Sequence, residues 1–130
     1  MRNMLCALLL CSAAILPATV HAADSVGVNY VNYHLNANQV IEIVAPAANT
    51  RGIYIRSTAL TSYAGGATAL FADTSAPSPP GNWKRPIFVV HGFASGNDYN
   101  SSASIYVPVG QGLYVMAQGA AGAINMSWDE

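Results

Sequence analysis

The feature that most constrains this chain is its alternation. In RGIYIRSTAL (residues 51–60), Ile53 and Ile55 fall on one side and Tyr54 and Arg56 on the other. That period of two places residues on one face of a strand, not of a helix. It returns in QVIEIVAP (39–46), ATALFAD (67–73), WKRPIFVVHGF (83–93), SIYVPV (104–109), GLYVMAQ (112–118) and AINMSWD (123–129). VGVNYVNYHL (26–35) alternates with a one-residue slip, which predicts a bulge near Tyr30. No ten-residue stretch shows helical spacing of apolar residues.

Turn residues separate these runs. NAN (36–38), AANT (47–50), YAGG (63–66) and GAAG (119–122) read as turns. TSAPSPPGN (74–82), with three prolines and a glycine, excludes ladder pairing, and ASGNDYNSS (94–102) reads as a polar loop. About eight short strands at spacings of roughly 8 to 12 residues predict an all-β, antiparallel β-sandwich of jelly-roll type. An immunoglobulin-like sandwich is the alternative, without its cysteine pair or a mid-chain tryptophan on a central strand. The expected core is Ile41, Ile43, Ile53, Ile55, Leu70, Phe88, Val90, Ile105, Val107, Leu113 and Val115.

The first 22 residues carry a different signal. Arg2 precedes an apolar stretch from Leu5 to Leu16, and Val20 and Ala22 fit the small-residue positions before a signal peptidase cut. Residues 1–22 therefore read as a secretory signal peptide and 23–130 as a single β-sandwich domain in the periplasm or outside the cell, with no membrane span in the mature protein. Both cysteines, Cys6 and Cys11, fall within the signal, so the expected mature domain is disulfide-free, and a bacterial source is the natural reading.

Charge narrows the partners. Only 8% of residues are charged, against about 25% in a typical domain. The four bases of the expected mature domain, Arg51, Arg56, Lys84 and Arg85, form no patch able to release counterions, so nucleic acid is not an expected partner. A surface of Asn, Ser, Thr and Gly repels its own copies weakly, which favours a homo-oligomer or a surface partner protein.

Catalytic chemistry is thin. PIFVVHGFAS (86–95) looks like the strand and His-Gly turn before the oxyanion hole of α/β-hydrolases. The chain has no Gly-x-Ser-x-Gly elbow, no histidine after His91, and no crossover helices. His34, His91 and Asp98 lack metal-ligand spacing. No enzyme activity, cofactor or metal is expected. Candidate binding residues are Trp83, after the proline-rich loop, and Tyr99, in the polar loop, because amphipathic aromatics stack on sugars or anchor interfaces. The sheet tyrosines Tyr54, Tyr106 and Tyr114 come next.

Two segments carry a family resemblance. IVAPAANTRGIYIRSTAL (43–60) contains an Ala-Pro-x-x-Asn-x-x-Gly turn before a strand, and VPVGQGLYVMAQ (107–118) a Pro-x-Gly-x-Gly-Leu-Tyr turn before another. With SAPS (75–78) between them, they resemble small β-sandwich proteins encoded by tailed phages and prophages. The resemblance implies a non-enzymatic structural or receptor-side role on a particle. The resulting expectation is a non-catalytic exported structural or surface-interaction subunit. A carbohydrate- or ligand-binding module is the second reading, and a periplasmic inhibitor or toxin-like domain the third.

Overall fold

The computed structural model describes residues 27–79, 86–93, 97–101 and 104–130. It contains nine strands and no helix among them: β1 (Asn29–Leu35), β2 (Val40–Val44), β3 (Ile53–Ser62), β4 (Ala67–Asp73), β5 (Pro86–His91), β6 (Asn97–Ser101), β7 (Ile105–Val107), β8 (Gly112–Gln118) and β9 (Gly122–Asp129). All pairings are antiparallel. One sheet runs β1-β9-β3-β6, with β7 also on β3; the other runs β2-β8-β4-β5.

This order is a folded ribbon. β4 pairs β5, β3 pairs β6 and β7, β2 pairs β8, and β1 pairs β9, so the chain doubles back on itself around the β4–β5 connection. Wrapping that ribbon sends its successive strand pairs, β1/β9, β2/β8, β3/β6–β7 and β4/β5, to alternate sheets and brings β9 against β3 and β8 against β4. The result is a jelly roll. Nine strands fill eight positions because β7, opposite Ile53–Ile55, and β6, opposite Thr58–Ser62, lie end to end along one edge of β3.

The alternation puts its apolar members between the sheets. Ile53, Ile55, Leu70, Val90, Val107, Leu113 and Val115 are buried in one cluster with Leu35, Leu60, Ile124, Met126 and Trp128. Ile41, Ile43, Phe88 and Ile105 pack against it while partly buried. Every expected core residue thus belongs to or packs on this cluster, while Leu35, Leu60, Ile124, Met126 and Trp128 extend it beyond the expected set.

Three local expectations change. β1 pairs β9 without a register shift, so there is no bulge at Tyr30; the slip in the sequence marks the start of the strand at Asn29. The irregularities lie instead between Glu42 and Val44, Ile55 and Ser57, and Leu70 and Phe71. Residues 97–101 form β6 rather than a loop, since an edge strand paired on one side only tolerates a polar sequence. Tyr114 is not an exposed face residue: with Ala69, Phe71 and Met116 it forms a second buried cluster on the opposite face of the four-stranded sheet. That sheet is apolar on both faces, so β8 reads as a continuous buried run rather than an alternation.

Candidate functional site

The outer face of the five-stranded sheet carries three of the exposed aromatics among the described residues, Tyr30, Tyr54 and Tyr106. Burying Ile53 and Ile55 on β3 and Val107 on β7 turns Tyr54 and Tyr106 outward. They are directly opposite in the β3–β7 ladder, with ring centroids 4.9 Å apart and planes tilted by 44°. Gly52 makes room for this pair. Its φ is +93°, and a Cβ there would lie 2.5 Å from the Tyr106 ring, so only glycine lets the ring rest on the chain.

The bulge after Ile55 leaves Arg56 without an opposite residue in β9. Its side chain reaches the outer face, where the guanidinium carbon sits 5.8 Å from the Tyr54 ring centroid and Nε donates to Asp129 Oδ2 at 2.7 Å. Asp129 Oδ1 accepts the Val28 backbone N–H at 2.8 Å. That amide bond, followed by the Arg56 bond and charge, holds the Asp129 carboxyl below the usual carboxylate range. The adjoining row is Tyr30, Ser127 and Ser57, the two serine hydroxyls 2.7 Å apart. Tyr30 is 81% exposed. Further along lie Asn32, Asn125 and Ala59. The face is therefore a small polar floor with tyrosines at two margins, and its Arg–Asp pair is neutralised internally.

The other sheet holds polar chemistry of its own. Tyr114 donates to Glu42, its neighbour across the β2–β8 ladder. Burial first, then the Glu42 charge and hydrogen bond and the Asp73 charge, push its phenol above the ordinary value. At the far end of this sheet an open depression of about 390 Å³ is lined by Gly65, Gly66, Ala67, His91, Gln118 and Gly119.

Of the residues singled out from sequence, Trp83 lies outside the described residues, as does the rest of 80–85. Tyr99 is on β6 opposite the buried Leu60, not on a loop. The structure does not bring the histidines together: His34 is on the outer face of the five-stranded sheet and His91 is on β5 of the other. Among the described residues no three of His, Cys, Asp or Glu gather as a metal site would require, and no helix is long and apolar enough to cross a membrane. His91-Gly92 ends an edge strand, and Gly92 is required because a Cβ there would strike the Tyr63 carbonyl.

The two turn motifs prove to be one structure. Asn49 is 1% exposed. Its Nδ2 donates to Pro108 O and Gln111 O, both at 2.8 Å, and its Oδ1 accepts Gly52 N–H at 2.8 Å. Gly110 N–H donates to the Asn49 carbonyl at 3.0 Å. The Asn of the first motif thus clasps the turn of the second, and both motifs are explained by folding. The arrangement missed from sequence is the Tyr54–Tyr106–Arg56–Asp129 group; the tyrosines were visible as sheet-face residues, but the bulge that turns Arg56 toward them has no local sequence signal. In comparisons with family models, curated proteins and solved structures, nothing matches this chain.

Proposed function

We propose that the protein is an exported, non-catalytic interaction subunit that associates with copies of itself through the outer face of the five-stranded sheet. The observation that carries this reading is the exposed Tyr54–Tyr106 pair, braced by Arg56 and Asp129 beside a small polar floor. Tyrosine and arginine are the residue types that concentrate binding energy at protein interfaces, and rings held in place lose little entropy when covered. With its one ion pair closed on itself, the face presents little net charge to a second copy, and one patch facing itself across a two-fold axis closes a dimer. Export rests on the sequence of residues 1–22.

Sedimentation velocity tests the reading. The parent protein is expected to show a concentration-dependent oligomer, and Tyr54→Ala and Tyr106→Ala each to weaken it by more than about 1 kcal/mol while the fold is kept. A parent monomeric at all concentrations, or association indifferent to both substitutions, overturns it.

A further inference from the structure

Each sheet of the sandwich ends in two edges, and an edge strand offers its free N–H and C=O groups to any chain able to pair with them. Three of the four edges carry a device that opposes this. β2 holds the charged Glu42, and its ladder shifts register between Glu42 and Val44. β5 begins at Pro86, which has no N–H to give, and its ladder shifts opposite Leu70 and Phe71. The edge on β3 is divided between β6 and β7, and β6 carries Asp98.

β1 is the exception. Its register on β9 is unbroken over 7 residues, from Asn29 opposite Trp128 to Leu35 opposite Gly122. It contains no proline, and no Asp, Glu, Lys or Arg lies between Asp24 and Glu42. Among the described residues no strand pairs with its other side. The core is also open along this edge. Val31 and Tyr33 stand opposite the buried Met126 and Ile124, so both belong to the inward face. Yet Val31 is only partly buried, and Tyr33 is 39% exposed.

The strand is complementary to itself. When a second β1 is set antiparallel to it about a two-fold axis at Asn32, every residue from Asn29 to Leu35 finds a partner. On the inward face Val31 meets Tyr33 of the second copy, a β-branched residue against an aromatic one. On the outward face Tyr30 meets His34, and Asn32 meets its own counterpart. No Asp, Glu, Lys or Arg enters the pairing. We propose that β1 is an assembly edge: two copies join through antiparallel β1 strands about Asn32, so that their five-stranded sheets run on as one. This contact goes beyond the tyrosine face proposed above. Tyr54 and Tyr106 lie on β3 and β7, across β9 from β1, so either interface can fail alone.

The test joins a charge swap to cysteine cross-linking, in protein purified from cells expressing the full chain. Asn32 is exposed, and circular dichroism checks that its variants stay folded. Asn32→Lys and Asn32→Asp should each weaken association in sedimentation velocity by about tenfold or more, because like charges then meet across the axis. An equimolar mixture of the two should recover it. Asn32→Cys should give a disulfide-linked dimer on oxidation, since directly opposed residues lie about 5 Å apart. Tyr30→Cys and His34→Cys should cross-link when mixed and not separately. The unsubstituted chain, with only Cys6 and Cys11, is the control. Association that weakens in Tyr54→Ala but ignores both charges at position 32, with no cross-link between positions 30 and 34, keeps the tyrosine face and overturns the edge. A mixture that fails to recover, or a cross-link in Tyr30→Cys alone, also overturns it, since the register is then another. A parent monomeric at all concentrations overturns both interfaces and leaves the edge to a strand of a different protein.

Discussion

At the scale of single residues, the side chain that does most for the fold is a buried amide. Asn49 satisfies two carbonyls and one N–H that would otherwise be stranded beside the Pro108–Gln111 turn. Asn49→Ala should lower stability by about 2–4 kcal/mol, because three groups lose their partner at once. Asn49→Asp should be worse at neutral pH, since an acceptor would then face two carbonyl oxygens. Urea melts that show a shifted midpoint with an unchanged slope would establish this; a change under about 0.5 kcal/mol, the surface level, would contradict it. The opposite case is Thr68. It is fully buried, its hydroxyl has no partner, and it stands against Gly122. Thr68→Val keeps the shape and removes the stranded group, so it should raise stability by about 1 kcal/mol in the same melts. A loss there would mean that the hydroxyl is satisfied after all.

At the scale of strands, what was legible from sequence was whatever the core enforces. Ile53 and Ile55 announce β3 because a slip of one residue would expose them both, whereas Leu113 and Val115 announce β8 through a short apolar run buried on both faces. β6 was not legible, because Asn97–Ser101 borrows its structure from β3 through backbone bonds that leave no apolar signature. Nor was the second cluster: Tyr114, Phe71 and Met116 occupy outward positions whose burial depends on the rest of the fold. The tyrosines of the candidate face were visible, but their pairing follows from β7 meeting β3 across a long stretch of chain. The end of β9 carries a pH-dependent element of its own. Asp129 is ionised more readily in the folded protein, through the Val28 amide and then Arg56. Its contribution is therefore complete above the ordinary aspartate value of about 3.9 and is lost as pH falls through the lower folded value. Asp129→Asn should reduce stability at neutral pH and flatten the acid limb of the stability curve. A variant whose curve parallels the parent's throughout that range would show that the bond does not hold β1 to β9.

At the scale of the whole molecule, β9 is the keystone of its sheet, lying between β1 and β3 and pairing with both. A chain ending before Gly122 leaves each of those strands with an unpaired edge and removes Ile124, Met126 and Trp128 from the core. Such a truncation should show no cooperative thermal transition by circular dichroism, whereas the full chain should show a single one. The ribbon topology also carries a consequence in time. The contact of Val28 with Asp129 closes a span of 101 residues, so the first described strand emerges from the ribosome long before its partner exists. Pairings of this range make folding slow. A nascent chain of this design stays an open, weakly charged polymer until its last strand is made, and only then can the two ends of the fold close on each other.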